Sequence, residues 1–250
     1  MKLWTHADYA RAAGAEITRM ADTTARHNMS APTPTCPGWD LGALIAHTGT
    51  IHRWAAAMVR DLADRRYDRR TMEFGEPEDR TAYPEWLRAG AGILQEALSA
   101  QDPDAPMWVW GGDPHVRWWS RRQLHETVVH RADAEIAIGV APEIDEDIAA
   151  DGVEEFFDVL PHATWAPGLR ELSGEGETIS WQADTGAGWL VTLQPDGFSY
   201  ERSWEPGDVT VRAAASSDLQ LLAWGRRRAD DYSIEGDSAL LDWWLSHTAI

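Results

Sequence analysis

The sequence is poor in cysteine, in lysine and in long apolar runs, and each scarcity excludes something. A single cysteine, Cys36, in 250 residues rules out an internal disulfide framework and fits a reducing compartment. The 22 basic residues face 41 acidic ones, for a formal net charge of −19, and Lys2 is the one lysine among them. Phosphate backbones and anionic lipid attract basic surface, so neither nucleic acid nor a membrane is expected as a partner. No apolar stretch approaches the roughly 20 residues of a membrane-spanning helix. The first residues, Met-Lys-Leu-Trp-Thr-His-Ala-Asp, lack the apolar run of a signal peptide, and the expected location is the cytoplasm. The acidic balance speaks for solubility rather than for assembly, which leaves monomer or homodimer open.

What is present is the material of a folded core. Hydrophobic residues make up 44% of the chain and tryptophan occurs 15 times. Each indole wants an apolar bed and a partner for its N–H, so several tryptophans are expected to wall a pocket. The length allows one large domain or two modest ones.

Taken in order, Tyr9, Ala13, Ile17, Met20 and Thr24 have helical spacing within residues 5–28. The stretch Ala31-Pro-Thr-Pro-Thr-Cys-Pro-Gly-Trp39 is broken by three prolines and a glycine and reads as a fixed loop. Asp40 is placed to cap a second helix through about Arg60, and Asp61 to Arg80 reads as a solvated, arginine-rich connection. Pro84 opens a third helix through Ala100. The segment 101–117, with Trp108 and Trp110 among prolines and glycines, is a loop that must cover something. A long helix comes next, Trp118 to Gly139, with Pro142 beyond it. One more helix, Asp145 to Leu160, leads into short alternating segments, Thr178–Ala183, Trp189–Leu193, Phe198–Trp204 and Val209–Ala213. Turn residues at 184–186, 194–197 and 205–208 separate them as hairpin signals, and helices are expected at Asp218–Trp224 and Asp237–His247. The fold class is therefore α+β: a four-helix bundle over residues 1–142 and a small α+β domain with an antiparallel sheet over 143–250.

The chemistry concentrates in Leu124-His-Glu-Thr-Val-Val-His-Arg131 on the fourth helix. At about 100° per residue, Glu126 and His130 share a face and can hold one ion together. His125, five residues from His130, points elsewhere, so this is not the metalloprotease pattern, which needs histidines at i and i+4 with a glutamate between. An unpaired buried carboxylate is costly, so Glu126 on an inner face calls for a partner, and a third ligand must come from another helix. His47, in the middle of the second helix, reads on its own as a hydrogen-bonded core histidine. His52 and His125 are expected at the surface or behind the ligands. Cys36 reads as a small buried group rather than a nucleophile, Asp133 and Glu135 either orient ligands or are solvated, and Arg65-Arg66 and Arg69-Arg70 form a solvated face.

Cys36-Pro-Gly-Trp-Asp40, Leu44-Ile-Ala-His47 and His125-Glu-Thr-Val-Val-His-Arg-Ala-Asp-Ala-Glu135 together resemble the mycothiol-dependent maleylpyruvate isomerase family, whose N-terminal part is a DinB-like metal-binding four-helix bundle. Ala214-Ser-Ser-Asp-Leu-Gln-Leu-Leu-Ala-Trp-Gly-Arg-Arg227 and Ile234-Glu-Gly-Asp237 resemble its C-terminal domain, so the likeness covers nearly the whole chain. The resemblance implies a divalent metal, usually zinc, on His47, Glu126 and His130 as the catalytic group. It also implies mycothiol as the cosubstrate thiol and an arginine from the C-terminal domain in thiol binding, for which Arg226 or Arg227 is the candidate. Trp39 and Trp54, with Trp108, Trp110 and Trp119, are candidates to wall the pocket and exclude water. Two histidines and one carboxylate leave a coordination position open, as in catalytic rather than structural zinc sites, and a metal ion activates a coordinating thiol.

Three functions stand as alternatives. The first is a metal-dependent S-transferase, thiol-exchange enzyme or cis–trans isomerase acting on a small electrophile, with transfer slightly favoured because the family is broad. The second is a metal- or small-molecule-binding protein without turnover, and the third a regulatory module whose acidic surface meets a basic partner.

Overall fold

The computed structural model describes residues 2–250, and the chain divides into two compact units, Lys2–Glu143 and Ile144–Ile250. The first is built from α1 (His6–Thr24), α2 (Leu41–Arg60), α3 (Tyr83–Ser99) and α4 (Val116–Ala137). Helix α1 packs on α3 and α4, and α2 does the same from the other side, which makes a four-helix bundle.

Local chemistry sets the helix ends. Thr5 and Asp8 form a reciprocal capping box at α1. Asp40 caps α2 by accepting from the Ala43 N–H at 2.8 Å, and the same carboxylate pairs with Arg80. The hydrogen bonds from Arg80 outweigh burial and keep the Asp40 carboxyl below its ordinary value. Gly49 lets α2 approach α3: a Cβ there would sit 2.2 Å from the Trp86 ring.

Two connections flank α2, and both are held in place. The proline-rich loop ahead of it is fixed, as its composition suggests: Leu41 N–H donates to Ala31 O, Gly42 N–H to Met29 O and Trp39 N–H to Cys36 O, all at 2.8–3.0 Å. Gly38, at φ +84°, makes the left-handed turn that delivers Trp39. The arginine-rich connection after α2 is solvated along its charged side, with Arg65, Arg66 and Arg70 exposed. It is nevertheless tied down by two indoles, Trp54 N–H to Tyr67 O and Trp86 N–H to Phe74 O, each at 3.0 Å.

The second unit contains α5 (Glu146–Val159), capped by Asp145, then β1 (Thr178–Ala183), β2 (Gly188–Gln194), β3 (Gly197–Arg202), β4 (Val209–Ala213), α6 (Ser216–Ala223), β5 (Ser233–Gly236) and α7 (Ser238–His247). The five strands form one sheet in the order β3-β2-β1-β4-β5. Ile179, Trp181 and Ala183 of β1 alternate into a core with Phe156, Phe157, Leu219, Leu222 and Trp244.

The sheet corrects three expectations. It is antiparallel except for β1 and β4, which run parallel. The turn signal at residues 205–208 therefore makes no hairpin: the segment after β3 crosses the face of β1 opposite the apolar core, and the polar residues of β1 on that face receive it. Ser180 Oγ donates to Glu205 O at 2.9 Å and Gln182 Nε2 to Trp204 O at 3.1 Å. Gly207 fits because a Cβ there would lie 2.8 Å from Thr178 O. Finally, β5 is a short strand at the sheet's edge, too polar to show an alternating pattern.

Candidate metal centre

The site draws one residue from α2, four from α4 and two from the loop ahead of α2. His47 Nε2 lies 3.5 Å from Glu126 Oε1, and His130 Nε2 lies 3.3 Å from that same oxygen. The helical spacing of Glu126 and His130 puts them on one face of α4, as expected, and α2 packs against that face with His47 at the crossing. Suitable donor atoms of the three all fall within 4.8 Å of one another. Two imidazole nitrogens and a carboxylate oxygen at this separation suit a divalent ion of the zinc type.

Supporting groups fix the donors. His130 Nδ1 is 3.0 Å from Asp133 Oδ2, so the ring donates its Nδ1–H to that carboxylate and presents Nε2 to Glu126. Asp133 is fully buried, and its Oδ2 also accepts from the Cys36 thiol at 3.3 Å. Cys36, His130 and Asp133 form a second convergent group that shares His130 with the first. Cys36 is thus half-buried and hydrogen-bonded rather than simply packed as a small apolar group, because the loop holds it against α4. The Trp39 ring stands 4.8 Å from the His47 ring and 6.5 Å from His130, closing the side of the site that the loop covers.

The charges within the cluster are coupled. Burial disfavours the Glu126 carboxylate, but hydrogen bonds from His130 and His47 and the nearby Arg122 charge outweigh it and hold its pKa well below the ordinary range. Burial likewise disfavours the His130 imidazolium, and hydrogen bonds with Asp133, Cys36 and Glu126 overcome that and hold it well above the usual histidine value. Arg122, 4% exposed, donates from Nη2 to Glu126 Oε2 at 2.7 Å. Sequence reasoning missed this residue, although its position four before Glu126 is the spacing of a helical ion pair.

Other residues lie elsewhere. His52 and His125 are wholly buried, not at the surface. His52 Nε2 bonds Thr127 Oγ1 at 2.8 Å, on the far side of the turn that carries Glu126, because α2 and α4 pack too closely to leave that face wet. Glu135 pairs with Arg131 at 2.5 Å and Arg19 at 3.3 Å rather than with a ligand of the site. Trp54, two turns along α2 from His47, packs edge-on against Trp119 and Trp108. This aromatic cluster is what the loop over residues 101–117 covers, with Trp119 N–H donating to Trp108 O at 3.0 Å. Arg226 and Arg227 belong to the second unit, in the segment after α6, where Arg226 Nη1 donates to Trp224 O at 2.5 Å.

A four-helix bundle whose facing helices bring two histidines and a glutamate together is of the class whose core is able to hold a metal. Residues 10–135 match the family model of the mycothiol maleylpyruvate isomerase N-terminal domain and residues 147–242 that of the MDMPI C-terminal domain. The chain belongs to the mycothiol-dependent maleylpyruvate isomerase family. Its fold is similar to the crystal structure of the mycothiol-dependent maleylpyruvate isomerase, at 16% identity and a TM-score of 0.54 over 92% of this chain and 91% of that one. It is equally similar to a histidine-to-alanine mutant of that enzyme, at 17% identity and a TM-score of 0.55 over the same shares. No curated protein sequence matches it.

Proposed function

We propose that the protein is a metal-dependent enzyme that activates a low-molecular-weight thiol, mycothiol by analogy with its family, for addition to a small electrophile. The observation that carries this reading is the convergence of His47, Glu126 and His130 donor atoms within 4.8 Å of one another in the bundle interior. Family membership supports a thiol-dependent, isomerase-like activity, and either cis–trans isomerisation or S-transfer fits the site. When bound, a divalent cation supplies Lewis acidity that lowers a thiol's pKa from about 8.5, so that a thiolate is available near neutral pH.

The chain's own residues then have separate tasks. His47, Glu126 and His130 would hold the cation. Asp133 holds His130 in the tautomer that offers Nε2. Trp39 shields one side from water, which strengthens electrostatic interactions inside. Arg226 or Arg227 remains the proposed contact for the thiol's polar groups, since a guanidinium offers a planar fork of donors. The proposed setting is the cytoplasm, the source of reduced thiol.

Elemental analysis of the purified protein should find about one zinc-type ion per chain, with three protein ligands as in catalytic sites. His47→Ala should abolish it. Metal-loaded protein incubated with mycothiol and maleylpyruvate or other electrophiles should yield an isomer or a thioether adduct by mass spectrometry. A protein that takes up no metal would overturn the reading; one that holds metal but turns over nothing would favour a binding protein without catalysis.

A further inference from the structure

The two oxygens of Glu126 face different partners. Oε1 looks toward both histidines, 3.5 Å from His47 Nε2 and 3.3 Å from His130 Nε2, while Oε2 is held by Arg122 Nη2 at 2.7 Å. Arg122 lies one turn earlier on α4, so the helix backbone fixes its distance from Glu126. It is 4% exposed, and its guanidinium lies 5.9 Å from the centre of the Trp110 ring. A buried arginine is costly unless it is paired, and a surface ion pair of the same spacing would need neither burial nor an aromatic neighbour.

We infer that Arg122 is a positioning residue that confines Glu126 to a single oxygen toward the cation, and so keeps a coordination position available for the thiol. This rests on the proposed metal site. A carboxylate is able to bind a cation through one oxygen or both, and binding through both takes up a position that another ligand would otherwise fill. An oxygen already accepting a charge-assisted hydrogen bond from a guanidinium is a poorer ligand and is pointed away. With Arg122 in place, Oε1 alone is presented to the cation between His47 and His130. Without it, Oε2 is free to swing in.

Cobalt(II) substitution tests the inference, since the visible bands of the ion report its coordination and a sulfur ligand adds a charge-transfer band. The wild type, Arg122→Met and Arg122→Lys are loaded with cobalt, their folding is checked by circular dichroism, and each is titrated with mycothiol. Arg122→Met is expected to bind cobalt, to show an altered visible spectrum, and to bind the thiol about 10–100-fold more weakly, the usual cost of losing a ligand-orienting partner. Arg122→Lys, which keeps one charged donor, should recover much of that loss. If Arg122→Met does not fold, Arg122→Gln, which keeps only a neutral donor, replaces it and should bind the thiol more weakly than both the wild type and Arg122→Lys. Variants with the wild-type spectrum and thiol affinity would overturn the role of Arg122 while leaving the metal site standing. A wild type that binds no cobalt would overturn the site itself, and the inference with it.

Discussion

The two units bury their interiors differently. The second packs one apolar cluster in which Phe156, Phe157, Trp181, Leu219, Leu222 and Trp244 are all nearly inaccessible. The first buries charge: on α4 alone, Arg122, Arg131, Asp133 and Glu135 are each less than 5% exposed. Charges removed from water cost several kcal/mol each unless well paired, and a paired set is often no more stable than apolar residues of the same volume. Stability therefore explains the apolar cluster of the second unit, whose buried charges are Asp151 and Glu155 of α5, and leaves the charged set on α4 unexplained. Part of the α4 set is architectural, since Arg131 ties α4 to Glu16 of α1 and to Glu143 O. The remainder, Arg122 and Asp133, joins the partly buried Glu126 and His130 in one connected group, Arg122 on Glu126 and Asp133 on His130, which is the arrangement of a site.

This contrast makes opposite demands on substitutions in the two interiors. Phe157→Ala removes a ring that is 1% exposed and touches Trp181, Tyr200 and Trp244. It should cost about 3–5 kcal/mol in the second unit, as large-to-small core changes do, and leave the metal content of the protein unchanged. Calorimetry with elemental analysis checks both halves. Glu126→Ala should do the converse: metal content falls to background, and the loss in stability, about 1.5–3 kcal/mol from removing a charged hydrogen-bond partner of the buried Arg122, is confined to the first unit. Equal metal loss in the two variants would erase the distinction.

The ease with which each unit was legible in the sequence runs along the same line. The helices of the first unit and two of the three converging site residues were readable because period and spacing are local: Glu126 and His130 fall on one face by arithmetic, as Asp40 caps α2 by residue type. Whether His47 met them depended on how α2 crosses α4, which no local pattern encodes, and only the likeness to a known family singled it out. Arg122 was passed over because a surface ion pair has the same spacing as a buried one. In the second unit the β1–β2 and β2–β3 hairpins were clear from Gly186 and Gly197. The crossing at residues 203–208 was not, because Pro-Gly-Asp marks a reversal of direction without saying which strand the chain pairs with next.

A smaller effect separates the proposed ligands from the groups that orient them. Asp133→Asn keeps the size of the side chain but replaces a carboxylate that accepts from both His130 and Cys36. Metal should still bind, about 10–100-fold more weakly, as a competition titration against a chelator would measure. Cys36→Ser, which keeps a donor toward Asp133, should bind metal nearly as wild type does. If Asp133→Asn leaves the affinity unchanged, the buried carboxylate belongs with Arg131 and Glu135 as architecture.

The smallest effect concerns His52, a buried polar group outside the cluster, and it emerges only with pH. Thr127 Oγ1 donates its proton to Gln123 O at 2.6 Å, so in the 2.8 Å contact His52 must donate from Nε2. Its Nδ1 is then a bare acceptor, buried and without a partner among the described residues. Burial outweighs the favourable charge of Glu126 and pushes the pKa down from the ordinary histidine value of 6.5 to about 3. The folded ring stays neutral where the unfolded one protonates, so the unfolded state binds more protons and stability falls as pH drops from about 6.5 toward about 3, by up to about 1.4 kcal/mol per pH unit. Above about pH 6.5 both states are neutral and the contribution is flat. His52→Gln keeps a donor toward Thr127 and has nothing to titrate. Urea unfolding of the metal-free protein at pH 7, 6 and 5 should therefore show the wild type losing stability faster than His52→Gln by up to that slope, other titrations cancelling in the difference. Parallel lines for the two proteins would mean that His52 finds a partner for its second nitrogen and is charged inside the bundle.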